Sequence, residues 1–262
     1  MTPSTTDGRI GVRAAARPVP GSPAGDACAP LSLAARHIVF KAADGLSVRT
    51  ILSIESIDLP AGARVAVTGS SGAGKTSLMR VLSGMVRPDT GSVRWGETEL
   101  TALSEPERDR WRGRFCGFLF QDFGLLDGLT ALENVLLPET FHGAIQREAR
   151  DRAQVLLQRL GVPAGTRAAN LSRGEMQRTA LARLLMGRPK VIFADEPTAS
   201  LDEANARRVM TALNEAADKL GAALIVVTHD EDIARSLPLR ARMHQGRWSW
   251  LEGPDAQAAG GL

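Results

Sequence analysis

The octapeptide Gly69-Ser70-Ser71-Gly72-Ala73-Gly74-Lys75-Thr76 constrains this 262-residue chain more than any other feature. It matches G-x-x-x-x-G-K-[ST] at every fixed position, and both of its flanks supply the setting that the motif requires. Ahead of it, Arg64-Val65-Ala66-Val67-Thr68 is a short β-branched run of the kind that forms a buried strand; behind it, Ser77-Leu78-Met79-Arg80-Val81-Leu82 has helical composition. Gly69, Gly72 and Gly74 let the backbone curl until several N–H groups face one point, where the dipole of the following helix adds positive potential. A triphosphate fits such a cradle. Lys75, one of four lysines in the chain, would reach the β- and γ-phosphates, and the Thr76 hydroxyl would ligate Mg2+. The bland alternative is a glycine-rich strand–helix turn that binds nothing, and the intact flanks argue against it.

A chain of this length holds one large α/β domain, or a core with an inserted subdomain. Hydrophobic residues at 44% and charged residues at 23% are ordinary globular values. The longest apolar runs fall far short of the 18 or more residues that span a bilayer, so a soluble chain is expected. Two cysteines, Cys28 and Cys116, form no disulfide framework and no C-x-x-C metal spacing, which suits a reducing cytosol. The net charge of +3 is mildly basic and almost all of the positive charge is arginine. That permits contact with nucleic acid or anionic lipid without arguing for it.

Residues 1–30 are rich in Pro, Ala, Gly, Ser and Thr, cannot bury enough surface to order themselves, and are expected to form a disordered tail. They lack the continuous apolar stretch of a secretory signal. A folded region is expected over 31–250. Within it, runs around Ile38-Val39-Phe40 and Leu46 to Ile51, broken at Asp44-Gly45, predict antiparallel strands, and Ser92 to Trp95 follows a turn at Arg87 to Gly91. From about 122 to 187 the pattern turns helical. In Gln146 to Leu160 the residues Ala149, Ala153, Leu156, Leu157 and Leu160 share one face, and Ser172 with Glu175 spells a helix-opening capping box. After Pro238 a hairpin through His244 to Arg247 is predicted, and 251–262 reads as a flexible tail.

Polar groups recur at the ends of predicted strands. Phe115 to Phe120 ends at Gln121, Lys190 to Ala194 delivers Asp195 and Glu196, and Ala223 to Thr228 ends at His229. Open α/β sheets place ligand-contacting groups there. Beside a phosphate cradle, two carboxylates divide into a metal carboxylate and a base that polarises water. Each group alone has a bland reading: a surface turn for Asp195-Glu196, a structural strand-end histidine for His229, an ordinary cap for Ser172. Between the last two strands, Asp202 to Leu220 repeats apolar residues at a spacing that packs a helix on a sheet. Asp122-Phe123-Gly124 spells a kinase magnesium motif, but no H-R-D-type loop precedes it.

Taken in order, GSSGAGKT, Gln121, LSRGE, ADEPTASLD and His229 resemble the nucleotide-binding subunit of an ATP-binding cassette (ABC) transporter, over roughly residues 33 to 250. The resemblance implies an α/β fold: a P-loop NTPase (RecA-like) core with an antiparallel β subdomain and an α-helical insertion. It implies an ATPase with ATP and Mg2+ as ligands and a head-to-tail pairing with a second copy of itself. By position it implies that Gly69 through Ser77 hold the phosphates, with Lys75 on the β- and γ-phosphates. Thr76, Asp195 and Gln121 would hold or sense the metal, Glu196 would activate water and His229 would contact the γ-phosphate. Ser172, Gly174 and Glu175 would meet the partner's nucleotide, with Asp202 in the loop that crosses the pair. The segment from Phe118 to Leu126, with Leu129 to Val135, is similar to the lipoprotein-releasing, macrolide-export and cell-division ATPase group. That implies a cytoplasmic subunit, peripheral on the inner face of the membrane through a separate integral membrane permease.

Two departures stand out. Arg173 occupies a signature position where the family carries glycine, which leaves two readings open: less room for phosphate, or added positive charge on it. Family register also puts Ala42 where an aromatic stacks on adenine, and the chain has no tyrosine; Phe40 either substitutes or belongs to the core. Two other functions compete. One is a regulatory or scaffolding subunit with weak ATPase activity, for which Arg173 is the support. The other is a soluble ABC ATPase acting on nucleic acid or ribosomes. Arginines 108, 110, 112 and 114 suggest a basic patch, but acidic neighbours favour a solvated face, so no nucleic-acid partner is expected.

Overall fold

The structure is a computed structural model that describes residues 29–44, 47–140, 145–199 and 201–253. Most of the expected N-terminal tail, Cys28, Gly45, Ser200 and residues 254–262 lie outside the described residues.

Strands β1 (Leu33–Asp44) and β2 (Ser47–Leu59) pair antiparallel along their whole length, from Leu33 opposite Leu59 to Asp44 opposite Ser47. They run well beyond the short apolar runs that announced them, because ladder hydrogen bonds carry a pair through polar residues once one face is buried. Leu52, Ile54, Ile57 and Leu59 supply that face on β2. Strand β4 (Thr90–Trp95) pairs with β1 and the short β5 (Thr98–Glu99) completes a four-stranded antiparallel sheet in the order β2-β1-β4-β5. Phe40, partly buried, packs against the core beneath this sheet.

The central sheet holds β3 (Arg64–Thr68), β6 (Cys116–Leu119), β7 (Val191–Asp195), β8 (Ala223–Val227), β9 (Leu239–His244) and β10 (Arg247–Glu252), in the order β10-β9-β3-β8-β7-β6. All its pairings are parallel except the β9–β10 hairpin. The continuous apolar runs of β3, β7 and β8 are explained by burial on both faces. Val65, Val67, Val191, Phe193, Ala223, Ile225 and Val227 face one core, shared with the four-stranded sheet and helix α1 (Lys75–Leu82). Ala66, Ile192, Ala194, Leu224 and Val226 face a second core on the other side. Trp95 binds β4 to the first core: its ring meets Phe193 edge-on at 6.3 Å and its Nε1 donates to the Leu82 carbonyl at 2.8 Å.

Helix α2 (Glu105–Phe115) was not foreseen. Where a solvated arginine face is expected, Arg112 donates to the Gly84 carbonyl at 2.5 Å, and Arg108 donates to the carbonyls of Gly84 and Leu103. Helices α3 (Ala131–Thr140), α4 (Arg147–Arg159) and α5 (Arg173–Met186) bury a third, smaller core, with Ala149, Ala153 and Leu157 as the inward face of α4. Helix α6 (Glu203–Leu220) packs its predicted stripe on the second core, and the short α7 (Glu231–Arg235) precedes β9. Strand β10 continues through Glu252, one residue past the expected start of the C-terminal tail, where Glu252 pairs with Arg240.

Candidate functional site

Parallel strands bring their C-terminal ends to one edge of a sheet. Here β3 runs into the cradle, β6 ends two residues before Gln121, β7 ends in Asp195 and β8 leads through Thr228 to His229. Groups far apart in sequence therefore meet because the strands share a direction.

The cradle is built by close approach. A Cβ on Gly69 would lie 2.4 Å from the Met243 carbonyl oxygen at the end of β9, so only glycine fits. Ala73 is buried, and its carbonyl accepts from the Gly246 amide at 3.1 Å, which pins the cradle to the β9–β10 turn. Gly74, at φ 100, opens α1 without any side-chain cap. The first-turn N–H groups of α1, including those of Thr76 and Ser77, are thereby left for an anion. Ser70, Ser71 and Gly72 form the exposed outer lip, and a Cβ on Gly72 would meet nothing within 4 Å. The Lys75 ammonium donates to the carbonyls of Gly69 at 2.7 Å and Ser70 at 3.1 Å, so its charge sits inside the loop.

Opposite the cradle, the Thr76 hydroxyl donates to Asp195 Oδ2 at 3.1 Å. Neighbouring ligands of an octahedral Mg2+ lie about 2.9 Å apart, given metal–oxygen distances of about 2.0–2.1 Å. Two hard oxygens at this separation suit that ion. Burial pushes the Asp195 pKa up and the Glu196 charge pushes it further, while the Thr76 hydrogen bond, Lys75 and Arg80 pull it down; the net direction is upward. Arg80 was not singled out from sequence, although it stands four residues after Thr76 and so one turn along the same helix face. Thr76, Arg80, Gln121, Asp122 and Asp195 line one cavity of about 470 Å³.

Glu196 has φ 48, a left-handed backbone that costs a non-glycine residue on the order of 1–3 kcal/mol. Its N–H donates to the Val227 carbonyl at 2.9 Å, and its Oε2 lies 2.9 Å from His229 Nδ1. The side chain of Glu196 is mostly buried and that of His229 mostly exposed. A carboxylate next to Asp195, fixed on β8 and paired with His229 at the same sheet edge, has the chemistry of a general base.

The sequence profile described as ABC transporter matches residues 52–199. The chain belongs to the ABC transporter family. Its expected nature as an ATP-binding cassette with an α/β core, an antiparallel β subdomain and helices α3–α5 is thereby met. Among its relatives, the lipoprotein-releasing system ATP-binding protein LolD of Syntrophotalea carbinolica is 40% identical over 199 residues, 75% of this chain and 88% of LolD. The macrolide export ATP-binding/permease protein MacB of Burkholderia thailandensis is 42% identical over 186 residues, which cover 70% of this chain and 28% of that longer protein. The dimeric structure of a post-hydrolysis state of the ATP-binding cassette MJ0796, bound to ADP and Pi, matches with a TM-score of 0.75 at 30% identity, covering 85% of this chain and 100% of that one.

Within this ABC cassette the remaining candidates stand apart from the cradle. Ser172 caps α5, accepting from the Glu175 amide at 3.3 Å, while Glu175 Oε2 accepts from the Ser172 amide at 2.8 Å. Asp202 caps α6 by accepting from the Asn205 amide at 2.8 Å. Gly174 lines a separate cavity of about 350 Å³ with Gln177, Arg178 and Asn205. Among the described residues no hydrogen bond and neither cavity joins Ser172, Gly174, Glu175 or Asp202 to the cradle. Arg173 differs from its neighbours, because it reaches the cavity that holds Asp195. Buried Gln177 donates to the Pro197 carbonyl and so ties α5 to the segment after Glu196.

Proposed function

We propose that this cassette hydrolyses ATP with Mg2+ to drive a separate integral membrane permease, from a peripheral position on the inner face of the membrane. The observation that carries this reading is the pairing of Thr76 with Asp195 at the cradle, with Glu196 and His229 beside it on the same sheet edge. The backbone N–H groups from Gly69 to Ser77 bind the phosphates, and Lys75 leaves the Gly69 and Ser70 carbonyls for the β- and γ-phosphates. Thr76 and Asp195 would hold Mg2+, with Gln121 lining the same cavity, and the ion would supply charge neutralisation on the phosphate oxygens. Glu196 accepts the proton of the attacking water, and His229 orients that carboxylate and faces the γ-phosphate. Positioning and charge stabilisation then carry the reaction.

Ser172, Gly174, Glu175 and Asp202 act in a second copy. Their separation from the cradle of their own chain supports a head-to-tail pair, in which the opening of α5 meets the partner's nucleotide with its helix dipole. No helix among the described residues is long and apolar enough to cross a membrane, so the permease is another polypeptide or segment. LolD and MacB are named for lipoprotein release and macrolide export, and the same class of membrane task is proposed here. The inward-turned Arg108 and Arg112 speak against a nucleic-acid face.

Glu196→Gln tests this reading. The variant is expected to retain ATP binding and to lose hydrolysis by at least about 100-fold, the usual weight of a general base. Tagged and extracted from its native membranes in mild detergent with ATP and Mg2+, it should bring down a stoichiometric integral membrane protein. Recovery of ribosomes or nucleic acid instead would overturn the membrane assignment. Negligible turnover by the wild-type cassette with its permease would favour the regulatory reading.

A further inference from the structure

Helix α5 lays two arginines on the turn that follows β6. Phe123 in that turn has φ 62, a left-handed conformation rare for a bulky side chain, yet the residue is only 6% exposed. Such a backbone persists only where its surroundings over-determine it. Arg183 supplies one restraint, donating through Nη2 to the Phe123 carbonyl at 2.6 Å and through Nη1 to the Gly124 carbonyl at 2.5 Å. Arg173 supplies another, beside the Phe123 N–H bond to the Phe120 carbonyl and the packing of the ring in the second core. Its guanidinium carbon stands 5.5 Å from the centre of the Phe123 ring, in cation–π range, and the same side chain lines the cavity of Thr76, Gln121 and Asp195. No ion pair or hydrogen bond of the Arg173 side chain competes with that contact among the described residues. A glycine at position 173 would take the guanidinium off the ring and leave the turn to Arg183, the Phe123–Phe120 backbone bond and the packing of the ring in the second core.

We propose that Arg173 is a latch: it holds the Gln121 turn in the single chain and releases it when a second copy presents a nucleotide phosphate to the opening of α5. The release rests on the head-to-tail pairing proposed above; the hold does not. An exposed guanidinium on an aromatic face is a weak contact, whereas guanidinium on phosphate is charge-assisted and bidentate, so the phosphate wins when both are within reach. One guanidinium cannot serve both. Once it leaves, the left-handed Phe123 keeps Arg183, its own N–H bond to the Phe120 carbonyl and its place in the second core but loses one restraint, and Gln121 and Asp122 gain freedom at the moment the two copies meet. Nucleotide held by one copy is thereby reported to the Gln121 turn of the other, through a side chain that a glycine signature lacks. Arg173 is a positioning residue here, acting on Gln121 through Phe123.

The test reads the ring itself. The full chain is produced with 4-fluorophenylalanine at its seven phenylalanines, and the Phe123 fluorine resonance is assigned with Phe123→Leu. Without nucleotide, Arg173→Gly should shift that resonance, and Arg173→Lys should return it part of the way to the wild-type position. In the Glu196→Gln background, ATP with Mg2+ should move the Phe123 resonance toward its Arg173→Gly position while sedimentation shows the paired species. In Glu196→Gln/Arg173→Gly that ATP-dependent movement should be lost. An Arg173→Gly resonance unmoved from wild type without nucleotide would overturn the hold. Equal ATP-dependent movement with and without Arg173 would overturn the release. If ATP produces no paired species in either protein, the release falls together with the functional reading, and the nucleotide-free comparison still decides the hold.

Discussion

The Asp195 carboxyl is pulled in two directions. Burial, then the neighbouring Glu196 charge, raise its pKa, against the Thr76 hydroxyl, Lys75 and Arg80. The folded chain therefore holds this proton more tightly than the unfolded chain, and stability falls as pH rises from the ordinary value of 3.8 through the raised one. At neutral pH the charge is kept for function at a cost in stability. Asp195→Asn is expected to melt above the wild type at pH 7, with the gap closing as pH drops below the ordinary aspartate value, while Mg2+-dependent hydrolysis falls by at least about 100-fold, or about 2.7 kcal/mol of transition-state stabilisation. Thermal melts over pH 3.5–7.5 check this, and a variant that melts below the wild type at pH 7 would show that the carboxylate is stabilising. Residue types at the site were legible because phosphate and metal chemistry leave few choices at fixed spacing. The left-handed backbone of Glu196 and the contact between Arg173 and Phe123 were not, since each depends on a strand or helix more than thirty residues away.

Three helices open with the same device. In Ser104–Glu107, Thr130–Glu133 and Ser172–Glu175 the glutamate accepts the amide of the capping residue at 2.8 Å. The Ser104 hydroxyl, the Thr130 amide and the Ser172 hydroxyl, respectively, are the main groups that hold these carboxyls below the ordinary value of 4.5. A carboxyl with a lowered pKa contributes stability above its unfolded value and loses it as pH falls through the folded value. Ser172→Ala is expected to cost about 1 kcal/mol in urea unfolding at pH 7. Glu175→Gln is expected to lower the midpoint at pH 7, with the difference from wild type shrinking below pH 4.5; a difference that is constant with pH would deny the charged cap. Only the Ser172 box was evident from sequence, because it sits between apolar segments. Helix α2 hid its own box, since Trp111 is its single buried residue and no apolar stripe announces it.

Across the whole molecule the three cores are unequal. Among the described residues the helical core of α3, α4 and α5 holds ten buried apolar residues, whereas the two cores on either face of β3, β7 and β8 hold twenty-six and nineteen. A smaller core buries less apolar area, so the helical unit gains less from packing and opens at lower free energy than the sheet. Native-state hydrogen exchange on the full chain is expected to show amides of α3 and α4 exchanging through a sub-global opening, with β3, β7 and β8 exposed only by global unfolding. Equal protection of both sets would refute separate cores. A helical unit less tightly held than the sheet is also suited to pass motion between a membrane partner and the Gln121 turn.

By itself the sequence determined what periodicity and spacing encode locally: the cradle and its flanking strand and helix, the doubly buried strands, the stripe of α6, and the polar residue closing each strand. These are short-range consequences of side-chain size, β-branching and glycine freedom, and they survive without knowledge of neighbours. The tertiary structure alone decided which of those ends meet. Parallel pairing put Thr76 against Asp195 and Glu196 against His229, and the way α5 lies across the β6 turn put Arg173 and Arg183 on Phe123. Contacts across such distances depend on strand order and helix placement, which the packing of the whole chain sets and which no local pattern contains.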